Sequence, residues 1–448
     1  MPSAPPTIVA LSSALGRAGV AVVRVSGARA AAVFEKLCRP ATQPEPRRAS
    51  LRDVIDPATG ELIDHALTLW FPAPHSFTGE DVVELHLHGG RAIIKAVIEN
   101  LCRLDGFALA EAGEFSRRAF ENGKMDLTEA EGIADLIDAE TAAQRRQALR
   151  QMDGALGALY HDWADRLTHA LAFIEAEIDF ADEEIPPDIA AQRLAGVREV
   201  LEALTAHLND NHRGERLREG FTVAILGAPN AGKSSLLNAL AQREAAIVSP
   251  IAGTTRDVIE VQLDLGGYPV SLVDTAGLRE SADAIESEGV RRALARADQA
   301  DFKILLFDGS AAVPDPHTLA LLDGAALVVV NKSDLGSAPP PLLAKTDSVS
   351  PLSLSVKTGE GLTELTAKLI HEIDRRFMPT AQPSLTRLRH RLALEECQRF
   401  LQSALSATQT ELSAEDLRLA VRSLGRITGR VDVEDLLDII FSSFCIGK

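Results

Sequence analysis

The chain has 448 residues, 46% hydrophobic and 25% charged, which suits a folded protein of about three domains. Lys and Arg number 46 against 64 Asp and Glu, a net charge of −18, so bulk charge gives no tight nucleic-acid binding without a partner or a local basic patch. Four scattered cysteines without a C-x-x-C pair, no apolar run of ~20 residues and a Pro-rich start without a basic leader argue against a disulfide framework, a zinc site, a membrane span and a signal peptide, and lead us to expect a cytoplasmic protein.

Residues 1–120 read as mixed α/β. Gly19–Val25 and Asp81–Leu87 alternate like strands, and Arg91–Leu104 has helical spacing. Period two places Glu84, His86 and His88 on one face; lacking a further local ligand, they suggest a polar pocket wall more than a metal site. From about Asp126 the period changes. Leu149, Met152, Leu156, Leu159, Trp163, Leu167, Leu171, Ile174 and Ile178 predict one long amphipathic helix, which Pro186-Pro187 ends. Helical character resumes over 189–207 and again after Pro379 to the end. Arg117-Arg118 and Arg145-Arg146 with Arg150 read as solvated helix faces that could touch RNA.

Between the helical stretches lies a nucleotide-binding domain. Gly227-Ala-Pro-Asn-Ala-Gly-Lys-Ser234 follows the apolar run Phe221–Leu226 and precedes a helical pattern, the strand–loop–helix setting a phosphate loop requires. Its backbone N–H groups and the helix N-terminus suit phosphates, Lys233 can reach the β- and γ-phosphates, and Ser234 can ligate Mg²⁺. Asn331-Lys332-Ser333-Asp334 follows a second apolar strand and selects guanine, because Asp334 can accept from N1–H and the 2-amino group. Adenine would leave that carboxylate unpaired. A strand ends in Asp274-Thr275-Ala276-Gly277, where Asp274 would hold Mg²⁺ through water and the Gly277 amide would sense the γ-phosphate. Thr254 and Thr255 lie in a switch loop that should offer a hydroxyl to Mg²⁺, and Ser355-Val356-Lys357 should pack on the base. The expected GTP contacts are therefore Asn230, Ala231, Gly232, Lys233, Ser234, Ser235, Thr254, Thr255, Asp274–Gly277, Asn331, Lys332, Asp334 and Ser355–Lys357. Leu278 stands where small signalling GTPases carry a water-orienting Gln, so another group must act; the acidic stretch 280–288 is a candidate or merely a solvated face.

Four motif sets resemble one family, the tRNA-modification GTPases that act with a flavoprotein on the wobble uridine. They are Ser76–Leu85 with His88-Gly-Gly90; Glu114–Phe120 with Lys124–Ala130; Pro229–Ser234 with Ile251–Asp257 and Asp274–Glu280; and the terminal Phe441–Lys448. The resemblance spans essentially the whole chain. It implies a multidomain α/β and all-α fold: an N-terminal α/β folate-binding and dimerisation domain (1–120), a central helical domain (121–216 and 379–448), and an inserted doubly wound P-loop GTPase domain (217–378). It implies Arg24, Glu84, Lys124 and Lys448 as folate contacts for 5,10-methylene- or 5-formyl-tetrahydrofolate. It implies Mg²⁺ on Ser234 and Thr255, K⁺ on Asn230, Ser249, Ile251 and Thr254, and Glu286 beside Lys233 as catalytic groups. It further implies a homodimer, tRNA as substrate, and a partner carrying FAD and using NADH. Ser249-Pro250 departs from the family's usual proline-free stretch. A ribosome-assembly switch GTPase that binds rRNA is the alternative, and a folate-binding regulatory module a third; folate binding by residues 1–120 and wobble-base analysis separate them.

Overall fold

The computed structural model describes residues 5–14, 16–179, 187–246, 260–274, 300–322, 326–336, 351–377, 382–431 and 434–447. The chain divides into two compact units, one of residues 1–134, 151–186 and 406–448, the other of 135–150 and 187–405.

The first unit is built on a seven-stranded sheet, β1 Thr7–Leu11, β2 Ala18–Ser26, β3 Cys38–Arg39, β4 Ser50–Ile55, β5 Leu62–Phe71, β6 Val82–Gly89 and β7 Phe107–Leu109, in the order β3-β4-β5-β6-β2-β1-β7. Val23 and Val25 of β2 and Val83, Leu85 and Leu87 of β6 turn into one core, with Phe34 edge-on to Trp70 at 6.0 Å and the helix Arg91–Cys102 covering them with Val97 and Leu101. The intervening residues Arg24 and Glu84 therefore share the opposite face, and the antiparallel register sets them directly across from each other. Two long helices, Ala155–Asp179 and Thr410–Thr428, pack along one another; Tyr160, Trp163, Leu167 and Ile174 are buried on one, Leu417, Ala420, Leu424 and Ile427 on the other. The single helix expected from Leu149 to Ile178 is two, Ala142–Met152 and Ala155–Asp179. Gly154 sits between them at φ +80, a left-handed backbone that ends one helix before the next begins, and hydrophobic spacing alone does not register it.

The second unit holds the other seven-stranded sheet: β8 Phe221–Gly227, β9 Ala245–Ala246, β10 Glu260–Leu265, β11 Tyr268–Asp274, β12 Phe302–Asp308, β13 Ala326–Asn331 and β14 Leu352–Ser353, ordered β14-β13-β12-β8-β11-β10-β9. β8, β11, β12, β13 and β14 are parallel, while β10 and β9 run antiparallel at the edge. Both faces are covered, so these strands are near-continuous apolar runs: Val223 and Ile225 face the core built with helices Lys233–Arg243 and Leu362–Phe377, while Ala224 and Leu226 face a second core with Leu305, Phe307, Val328 and Val330. Helix Ala142–Met152 is seated on this domain: Ala143 is buried in its core and donates its amide to the Gly267 carbonyl, 3.1 Å, at the turn between β10 and β11. Among the described residues no helix is long and apolar enough to cross a membrane.

Candidate functional site

β8, β11, β12 and β13 lie side by side, so their carboxyl ends gather at one edge of the sheet, where open α/β folds bind ligands. Residues 228–232 turn there from β8 into helix Lys233–Arg243. Asn230 and Gly232 have φ +63 and +101, and a Cβ at Gly232 would stand 2.4 Å from Asn331 Nδ2, so only glycine fits. The Lys233 ammonium donates to the carbonyls of Gly227 and Ala228 at 2.7 and 2.8 Å, which holds it over the loop. Ser234 and Ser235 are exposed on the first helical turn, where the N-terminal N–H groups are available to an anion.

Asn331 joins three segments. Buried at the end of β13, its Nδ2 donates to the Ala231 carbonyl at 2.8 Å and its Oδ1 accepts from the Val356 amide at 3.1 Å. The phosphate loop and the 355–357 loop are thereby locked to the strand that carries Lys332 and Asp334. Lys332, at φ +70, puts its ammonium 2.5 Å from Asp308 Oδ2. Burial pushes the Asp308 carboxyl up, but hydrogen bonds from Lys332 and Ser310 outweigh it and leave it below the usual range. Asp334 is exposed, and its Oδ1 accepts from the Ser355 hydroxyl at 2.7 Å, which aims the carboxylate. Asp274 closes β11 in register with Ile225 of β8. The structure thus brings together Asn230–Ser235, Asn331, Lys332, Asp334, Ser355 and Val356, with Lys357 exposed beside them. Ser249, Ile251, Thr254, Thr255, Thr275, Ala276, Gly277 and Glu286, and the Lys448 of the other unit, lie outside the described residues.

In the first unit, Arg24 Nη2 and Glu84 Oε1 are 3.0 Å apart, both side chains about one-fifth exposed, and His86 Nε2 lies 3.3 Å from Glu84 Oε2. The guanidinium sits 5.5 Å from the centre of the Phe77 ring and 5.8 Å from that of Phe115. Phe77 belongs to the loop between β5 and β6, which also receives Lys124 Nζ on the Pro74 carbonyl at 3.0 Å and Asn122 Nδ2 on the Thr78 carbonyl at 2.8 Å. The chain's end reaches the same domain, since Ser12 Oγ donates to the Gly447 carbonyl at 2.9 Å and Ile446 bridges to Ala112. Sequence reasoning did not single out Phe77 and Phe115 as neighbours of Arg24; an aromatic inside a matched motif was the only available signal. His88 pairs with the buried Asp64 at 2.7 Å, and no cluster of three metal ligands exists among the described residues. Arg118 is buried between Glu80 and Glu114, not solvated as its sequence position suggested, and Arg117 pairs with Glu121 and Asp438.

Residues 7–124 match the N-terminal domain of the GTP-binding protein TrmE, and residues 127–445 match the MnmE helical domain. The chain is 56% identical to the tRNA modification GTPase MnmE of Paramagnetospirillum magneticum over 99% of both chains. The chain belongs to the MnmE family of tRNA modification GTPases. Its similarity to the MnmE protein of Parvibaculum lavamentivorans is equal, 56% over 99% of this chain and 100% of that one. A mitochondrial protein of Danio rerio, the 5-taurinomethyluridine-[tRNA] synthase subunit GTPB3, is 48% identical over 99% of this chain and 93% of its own length. As a member of the MnmE family the protein is a GTP hydrolase acting in tRNA modification, with tRNA as its substrate and Mg²⁺ accompanying the nucleotide. The exposed Ser234 hydroxyl, one residue after the ammonium of Lys233, fits a Mg²⁺ ligand beside the phosphates.

Proposed function

We propose that this chain is a K⁺-dependent GTPase that, as a homodimer and with an FAD-dependent, NADH-using partner, adds an aminomethyl or carboxymethylaminomethyl group to C5 of the wobble uridine of certain tRNAs. The one-carbon unit comes from a tetrahydrofolate bound by residues 1–120, and the reaction takes place in the cytoplasm. The GTPase domain, 217–378, is inserted between two parts of a helical domain, 121–216 and 379–448.

The observation that carries the reading is the Arg24–Glu84 pair beside Phe77 and Phe115. A pterin edge offers an N–H and a 2-amino group side by side, the same pair that guanine offers Asp334, and a carboxylate such as Glu84 accepts both. The aromatic rings suit the flat pterin face, and the Lys124 ammonium, held on the Pro74 carbonyl, suits the carboxylates of a folate tail. The Danio rerio relative is named for a uridine that carries an aminoalkyl group through a methylene at position 5, the bond this reading requires.

In the GTPase domain, Lys233 and the loop amides hold the β- and γ-phosphates, and Asp334, aimed by Ser355, holds the guanine edge. Glu286 orients the attacking water in place of the missing Gln. Asn230 with Ser249, Ile251 and Thr254 hold K⁺, a charge that does the work of an arginine finger. Mass spectrometry of wobble uridines in a deletion strain, complemented with the wild-type chain or with Arg24→Gln, tests the whole. We expect modification to vanish on deletion, return with the wild type and stay low with the variant; an unchanged profile on deletion overturns the reading. Hydrolysis should be fast in KCl and poor in NaCl, and equal turnover in both refutes the K⁺ assignment.

A further inference from the structure

We propose that the outer face of helix Ala142–Met152 is the surface through which this chain grips the phosphate backbone of its tRNA. The proposal rests on the tRNA-modification reading and adds a site to it. Arg145, Arg146 and Arg150 are exposed on one side of this helix, with the half-exposed Leu149 between them. None of the three meets a carboxylate among the described residues. The chain carries 64 acidic residues, and several of its arginines are ion-paired, Arg24, Arg29, Arg48, Arg117, Arg118 and Arg391 among them. Arg146 and Arg150 are moreover four residues apart, a like-charge spacing that disfavours the helix unless an anion lies across it.

The helix is fixed by its other side. Gln144 Nε2 donates to the Arg218 carbonyl at 3.1 Å, Gln147 Nε2 to the Gly214 carbonyl at 2.9 Å, and Ala143 and Ala148 are buried. With that side bound to the GTPase unit, the three arginines are exposed, Arg146 within electrostatic reach of Tyr268, on a rigid support that loses little freedom when a ligand arrives. Arg145 to Arg150 spans about 7.5 Å of helix axis, enough to address more than one phosphate. Guanidinium groups bind phosphate through paired N–H donors, and folded RNA is gripped largely through its backbone and shape. A chain of net charge −18 must gather its phosphate-binding charge locally, and this face does so.

The test is binding of labelled tRNA to the full-length chain by fluorescence anisotropy between about 50 and 200 mM KCl. R145Q/R146Q/R150Q should weaken binding at least about tenfold at low salt and lower the slope of log affinity against log salt by about 2–3, at roughly 0.7–0.9 per lost phosphate contact. R150Q alone should lower the slope by about 0.7–0.9. R145K/R146K/R150K keeps the charge and should stay within about threefold of wild type. GTP turnover and the unfolding midpoint should match wild type throughout. Unchanged affinity and slope in the Gln variants overturn the proposal, as does a wild-type chain that binds no tRNA or a variant that loses the flavoprotein while keeping tRNA. Wobble-uridine mass spectrometry stands or falls separately, so failure here is distinguishable from failure of the modification reading.

Discussion

The Asp334 end of the GTPase domain and the Arg24–Glu84 pair of the N-terminal domain each present a carboxylate held by another side chain, and they are built in opposite ways. At the first, the carboxylate and its supports are close in sequence: Asp334 and Asn331 sit in one four-residue motif, and Ser355 follows 21 residues later. In the N-terminal domain, Arg24 and Glu84 are 60 residues apart and meet only because β2 and β6 are neighbours in register. Phe77 and Phe115 arrive from a loop and a helix. A site made of one motif tolerates drift of the rest of the sheet, whereas a site made of strand register is lost by a one-residue slip.

Four substitutions sharpen or break this contrast. Glu286→Ala should have the largest effect, lowering GTP turnover roughly 10²–10⁴-fold while leaving GTP affinity nearly intact, because water positioning acts only in the transition state. Single-turnover hydrolysis in KCl reads it, and normal turnover would place the water elsewhere. Asp334→Asn should cost about 2–3 kcal/mol of GTP binding, roughly 30–150-fold, by turning an acceptor into a donor that faces N1–H. Xanthosine triphosphate, which carries a carbonyl at position 2, should gain relative to GTP in a competition assay; unchanged GTP affinity would show that Asp334 does not read the base.

Arg24→Gln should weaken folate binding about tenfold, since it removes a charge-assisted partner of Glu84, while GTP turnover stays at wild type. Calorimetry with 5-formyl-tetrahydrofolate measures this, and a parallel fall in GTPase rate would show that the two sites are not separately built. Ser355→Ala should be the mildest, about 1 kcal/mol or roughly fivefold in GTP affinity, because Asp334 keeps its charge and loses only the hydroxyl that aims it. If Ser355→Ala matches Asp334→Asn, the orientation of the carboxylate counts for as much as its charge.

The GTPase domain was legible because each of its elements pairs a strand with the loop that immediately follows, so chemistry and local structure share the same few residues. In the N-terminal domain, Arg24 and Glu84 were singled out together only by resemblance. Nothing in the alternation around Arg24 or Glu84 names its partner, and the aromatic walls carry no spacing signal. The helical region failed at one point: apolar periodicity ran through Gly154, where a left-handed backbone splits the helix in two. The arginines differed in the same way, since Arg117-Arg118 and Arg145-Arg146 look alike as dipeptides, yet among the described residues the first pair meets Glu80, Glu114, Glu121 and Asp438 and the second meets no carboxylate.

By itself the amino-acid sequence determined the order of the GTP motifs, the apolar strands that both faces of the sheet would bury, and the family. Those depend on residues within a few positions of one another, where backbone geometry is set by local sterics and short hydrogen-bonded turns. Tertiary structure alone decided that Asn331 would tie the phosphate loop to the 355–357 loop, that Glu84 would face Arg24, that the chain's last residues would lie against Ser12, and which arginines would be left facing solvent. Each of these is a contact between segments far apart in the chain, made favourable only once burial of the intervening apolar surface has brought them together.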